Sequence, residues 1–140
     1  MPLSEEEISA GAVAVLDAAS LNENPDVTCG DDKHAFRNGP FLCVQVQDGR
    51  SAWVNLTSQR DARGLRLELQ AEWRLEGSDV WRNSPQFVHD ARKAFVGPNS
   101  AFVTAAAKEF PYRPHNRPHV SEAGVAEVLS EMAKYRTVAL

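Results

Sequence analysis

Residues 40–70 constrain the fold most, because two stretches of strict alternation flank a single Asp-Gly pair. Leu42, Val44 and Val46 fall on one side of the first stretch, with Gln45 and Gln47 on the other. Ala52, Val54 and Leu56 alternate with Trp53, Asn55 and Thr57 in the second. A period of two is the period of a strand. Asp48-Gly49 suits a two-residue type I′ turn, which needs positive φ at both central positions. A polar turn over Ser58–Arg63 leads to a third stretch, in which Leu65, Leu67 and Leu69 alternate with Arg66, Glu68 and Gln70. Consecutive strands of this kind predict a meander with one buried face and one wet face.

Helical signals flank these strands. Ser4 followed by Glu5, Glu6 and Glu7 offers an N-cap, acidic residues at the positive end of the helix dipole and a capping box. With Ile8, Ala12, Val15, Leu16 and Ala19 spaced as one stripe, the pattern predicts a helix over about Ser4–Ser20. Gly97-Pro98-Asn99-Ser100 predicts a turn into a helix over Ala101–Phe110, stopped by Pro111. Pro111–Pro118 holds three prolines in eight residues and predicts an extended linker. A last helix begins at Ser121, with Val125, Val128, Leu129 and Met132 at i, i+3, i+4 and i+7. The whole is an α+β chain in one domain: a small antiparallel barrel or curled meander with an N-terminal helix and a C-terminal amphipathic helix. Its parts are an acidic helical arm (1–26), a β-rich core (27–110), and the linker and last helix (111–140).

Charge and composition narrow the function classes. The 140 residues carry a net charge of −4, unevenly spread. Residues 1–32 hold eight acidic groups and no basic one, whereas residues 33–117 hold thirteen Lys or Arg against eight Asp or Glu. A basic middle is either an ordinary solvated surface or a face for a polyanion. In the second case the acidic arm, laid over it, would weaken binding. No apolar run approaches the ~18 residues of a membrane span, and the first residues are acidic where a secretory leader is basic. A cytoplasmic chain without membrane contact is expected.

Two cysteines, Cys29 and Cys43, cannot complete a four-ligand thiolate site. Cys43 sits in the first strand as a small apolar residue. His115 and His119 have a metal-ligand spacing only on a helix, which Pro114 and Pro118 oppose. No metal or other cofactor is therefore expected. His89-Asp90 is an acid–base pair only if the two side chains face the same way, and strand neighbours face apart. Trp53, Trp73 and Trp81, interleaved with Arg66, Arg74 and Arg82, either stack bases or fill the core.

The hairpin itself suggests a site. Its two outer ends meet, so Arg37, ahead of the first strand, would approach Thr57, which ends the second. An arginine fork and a hydroxyl can share a phosphate and stabilise charge developing on it. The same polar residues also serve simply to end a strand. His34, Ser58, Gln59, Arg60 and Arg63 lie close by in sequence and are candidate substrate contacts.

Trp53-Val54-Asn55-Leu56-Thr57-Ser58-Gln59, followed by a basic turn and another strand, resembles the Thr-Ser/Thr-Gln element of the MazF/PemK toxin endoribonucleases. Arg37 ahead of Pro40 resembles their Arg-Pro opening, with Asn38-Gly39 inserted. The likeness covers about residues 30–75. It implies an SH3-like β-barrel, usually a homodimer. It also implies metal-independent cleavage of single-stranded RNA in a toxin–antitoxin system, or a degenerate relative that only binds, with an antitoxin as protein partner. Arg37 and Thr57 would be catalytic. The alternative is a non-catalytic SH3-like interaction module that binds a protein partner through its terminal helices.

Overall fold

The computed structural model describes residues 2–29, 38–61, 66–137 and 140. The strands are β1 (Val13–Leu16), β2 (Gly39–Gln47), β3 (Arg50–Thr57), β4 (Leu67–Leu69), β5 (Arg74–Leu75), β6 (Gln86–Val88), β7 (Phe95–Pro98) and β8 (His119–Val120). The helices are α1 (Ala18–Glu23), α2 (Asp79–Asn83), α3 (Asn99–Ala105) and α4 (Glu122–Lys134). The fold is α+β and its main sheet is antiparallel.

The β2–β3 hairpin forms as its sequence dictates. Asp48 has φ 51° and Gly49 φ 77°, the pair of positive angles a type I′ turn requires. One irregularity breaks the alternation. Cys43 pairs with Trp53 but Gln45 pairs with Ala52, so a bulge falls at Val44. Beyond it Val46 pairs with Ser51 and lies on the Cys43–Trp53 face, not with Leu42 and Val44.

The expected run of neighbouring strands is corrected. The order is β1-β2-β3-β6-β4, with β7 also on β3. β6 thus lies between β3 and β4. The first half of β3 pairs with β7 and its end pairs with β6. The sheet stays open and does not close into an SH3-like barrel. A separate ribbon joins β5 to β8.

No wet face spans the middle of the hairpin, because both faces are covered. Phe41, Cys43, Trp53 and Phe95 pack with Phe102, Ala105 and Leu21 from α3 and α1. Leu42, Val44, Ala52, Val54 and Val88 pack on the other face with Trp81 of α2 and with Val125, Val128 and Met132 of α4. Trp53 stacks on Phe102 with ring centroids 5.4 Å apart and donates its indole N–H to Ser51. Two of the three tryptophans, Trp53 and Trp81, are therefore core residues. Arg74 is buried too, donating to the carbonyls of Trp81 and Ser84. Burial pushes the Cys43 thiol up to about 12, so it is an inert, protonated core group.

The predicted helix over Ser4–Ser20 does not form. Glu7 does accept from the Ser4 amide and hydroxyl, but the turn so capped is only a 3-10 turn over Glu5–Glu7. Gly11 then takes φ 101°, and a Cβ there would lie 2.4 Å from the Val120 carbonyl oxygen. Val13–Leu16 instead pairs with Gly39–Leu42. Two β-branched residues, Val13 and Val15, and an available sheet edge outweigh the local helix propensity.

The C-terminal expectations divide. α4 begins where predicted, with Ser121 Oγ accepting from the Gly124 amide at 3.2 Å. Val125, Val128 and Met132 of its apolar stripe are buried in this chain's own core, with Leu129 partly buried beside them. The segment 111–118 is no free linker. Arg117, 4% exposed, donates to Glu7, Glu109 and the carbonyls of Val13 and Pro2. Within this cluster Glu7 of the acidic arm pairs with Arg117 of the basic middle at 2.7 Å. Among the described residues no helix is long and apolar enough to cross a membrane.

Candidate functional site

Register across three strands builds the site. Leu56 of β3 pairs with Val88 of β6, which pairs with Leu67 of β4. One step along, antiparallel pairing sets Asn55, His89 and Arg66 in a row, and paired residues present their side chains to the same face. The row is hydrogen-bonded. The His89 amide donates to the Asn55 carbonyl at 2.8 Å. Arg66 Nη2 lies 3.2 Å from His89 Nδ1, and Arg66 Nη1 donates to the Gln59 carbonyl at 2.7 Å. A guanidinium has no acceptor, so for this contact to be a hydrogen bond His89 Nδ1 is the acceptor.

This row opens into a cleft of about 470 Å³ lined also by Thr57, Ser58, Gln59 and Gln86. Thr57 Oγ1 accepts from the Gln59 amide at 3.2 Å and keeps its own proton to donate. Asn38 and Pro40 also line the cleft. Arg66 is the cation of the lining and no carboxylate lines the cleft among the described residues. Asp90, next to His89, is engaged by the Arg92 guanidinium at 2.9 Å. Burial alone would raise the Asp90 carboxyl, but Arg92 outweighs burial and holds it below its ordinary value. It therefore stays ionised and is not an acid–base partner for His89.

The predicted site residues fare unevenly. Thr57, Ser58 and Gln59 share the cleft. Arg60 does not line it; its guanidinium lies 5.4 Å over the ring of Phe87, the cross-strand partner of Thr57. His34, Arg37 and Arg63 lie outside the described residues. Sequence reasoning set Arg66 and His89 apart as members of other groups. No local pattern links them; the position of β6 between β3 and β4 brings them together.

Other candidate chemistry is structural. His115 and His119 border a separate cavity with Glu6, Glu76 and Arg117. Burial lowers the His119 imidazole, against the opposing pull of Glu76. Among the described residues no group of His, Cys, Asp or Glu side chains is arranged to hold a metal ion. No protein-family model matches the chain, and neither a curated protein nor a solved structure resembles it at a significant level.

Proposed function

We propose that the chain binds single-stranded RNA at the Thr57–Arg66–His89 cleft and cleaves it without a metal, in the manner of the MazF/PemK-like endoribonucleases. The observation that carries this reading is the Arg66–His89 contact in a cleft that no carboxylate of the described residues lines. A phosphodiester entering there meets a fork of donors on Arg66 and the Thr57 hydroxyl. As the phosphate oxygens draw Nη2 away, His89 Nδ1 is released to take the proton from a ribose 2′-hydroxyl. The 2′-oxygen then bonds to phosphorus, and the P–O5′ bond breaks. The departing 5′-oxygen takes up a proton from water, leaving a 2′,3′-cyclic phosphate and a 5′-hydroxyl. Arg66 and Thr57 stabilise the charge that builds on the non-bridging oxygens. On this reading the chain works in the cytoplasm as a homodimer with an antitoxin partner.

The test is incubation with single-stranded RNA in excess EDTA and analysis of the ends produced. Wild type yields cyclic phosphates, and His89→Ala slows cleavage by about 10²- to 10⁴-fold, the range of general acid–base catalysis. Arg37→Ala, run alongside, tests the residue the family resemblance nominates. RNA that is bound but never cut would reduce the chain to a binding module.

A further inference from the structure

A second, smaller cavity of about 160 Å³ adjoins the cleft. The two share Pro40, Val80 and Gln86 in their linings. Val15, Trp81 and Tyr112 are further walls of the smaller one, and its lining also includes Ser78 and Glu109, whose carboxylate is engaged by Arg117 and the Val15 amide. Its volume equals the liquid share of about five waters, at ~30 Å³ each, which is room for one planar ring and not for a drug-sized ligand. Val80 stands at the common lip with 67% exposure, unusual for a valine. Gln86 is the opposite case. It is 7% exposed, lines both cavities, and its side-chain amide bonds to no described residue. An amide that lines both cavities and is not committed to another described side chain is available to a ligand edge at their junction.

We propose that this cavity is a nucleobase subsite, in which one base of a single-stranded RNA packs among Val80, Trp81 and Tyr112 and pairs its polar edge with Gln86. The inference rests on the reading of the neighbouring cleft as a phosphodiester site. The geometry suits it: a ring-sized slot beside a cationic cleft for the phosphate attached to it. An amide supplies a donor and an acceptor together, which matches the adjacent donor and acceptor of a base edge. The Arg117 guanidinium lies over the Tyr112 ring, 5.2 Å from its centroid, and supports this wall.

The experiment is equilibrium binding by fluorescence anisotropy of the full chain with a short single-stranded RNA. The partner probe has the same backbone with abasic positions. The intact RNA is expected to bind about tenfold or more tightly, the scale of one stacked base. Gln86→Leu should bring the affinities for homopolymers of the four bases to within about twofold of one another, while Arg66→Ala weakens all of them alike. Equal affinity of wild type for intact and abasic RNA overturns the subsite and leaves the phosphate cleft standing. Absence of binding to either RNA at low salt overturns both. The abasic comparison uses wild type alone, so it decides the matter even if Gln86→Leu fails to fold.

Discussion

Arg66 Nη2 and His89 Nδ1 sit 3.2 Å apart although 23 residues separate them in the chain. β6 brings them together by entering between β3 and β4. The contact engages the imidazole through Nδ1 and leaves a cation at the surface of the cleft. Lysine at position 66 keeps the charge but loses the fork. Arg66→Lys should therefore retain RNA binding within about threefold yet slow cleavage by about tenfold or more. Single-turnover cleavage beside anisotropy separates the two effects, and equal cleavage rates would remove the fork from the mechanism.

Arg117 and Glu109 form a buried pair at 3.0 Å, with side chains 4% and 1% exposed. Glu109 also accepts from the Val15 amide and so ties the segment after α3 to β1. Removing one member leaves an uncompensated charge. Arg117→Met should destabilise the chain by roughly 3–5 kcal/mol in urea unfolding, and Arg117→Met with Glu109→Leu should recover part of that loss. A single variant as stable as wild type would show that the cluster is solvated.

Two carboxyls of this cluster oppose one another in pH dependence. Burial would raise Glu7, but Arg117 and Ser4 outweigh it and hold the group below its ordinary value of 4.5. Its stabilising contribution is complete above that value and is lost as pH falls through the lowered one. Glu109 is raised by burial, against the Val15 amide and Arg117. Relative to the unfolded chain, burial thus penalises the ionised form that Arg117 pairs with, and the net contribution of Glu109 declines as pH rises from 4.5 through the raised value. Glu7→Gln should flatten the acid limb of stability below pH 4.5 and cost about 1–2 kcal/mol at neutral pH. Thermal melts across pH 2–7 check both features, and an unchanged acid limb would contradict the assignment to Glu7.

α4 contributes to the core. Met132 is 1% exposed and packs with Val125 and Val128 against the face that carries Leu42 and Val54. Met132→Ala should cost about 2–5 kcal/mol, measured by chemical denaturation. A negligible cost would return the helix to the role of a surface element.

The hairpin and α4 were legible because their signals are local: an Asp-Gly turn between alternating runs, and a serine cap before an i, i+3, i+4, i+7 stripe. The N-terminal segment was misread because Ala12–Leu16 satisfies both periods, and its choice is made by Gly11 against Val120 and by the edge of β2. Half of the site was legible in the same local way, as Thr57, Ser58 and Gln59 at a strand end. Arg66 and His89 were not, since no local pattern announces that a later strand will insert before an earlier one. Arg60 shows the converse: it adjoins the site residues in sequence but stacks over Phe87 instead of entering the cleft.

The central claim, that the Thr57–Arg66–His89 cleft receives a phosphodiester, is tested most directly by the salt dependence of single-stranded RNA binding. Arg66→Ala should weaken binding and lower the slope of log Kd against log salt by about 0.7, the value for one phosphate contact on a single strand. Arg92→Ala serves as the control, because that exposed guanidinium is already paired with Asp90, and it should leave the slope unchanged. Identical affinity and slope for wild type and Arg66→Ala would contradict the account.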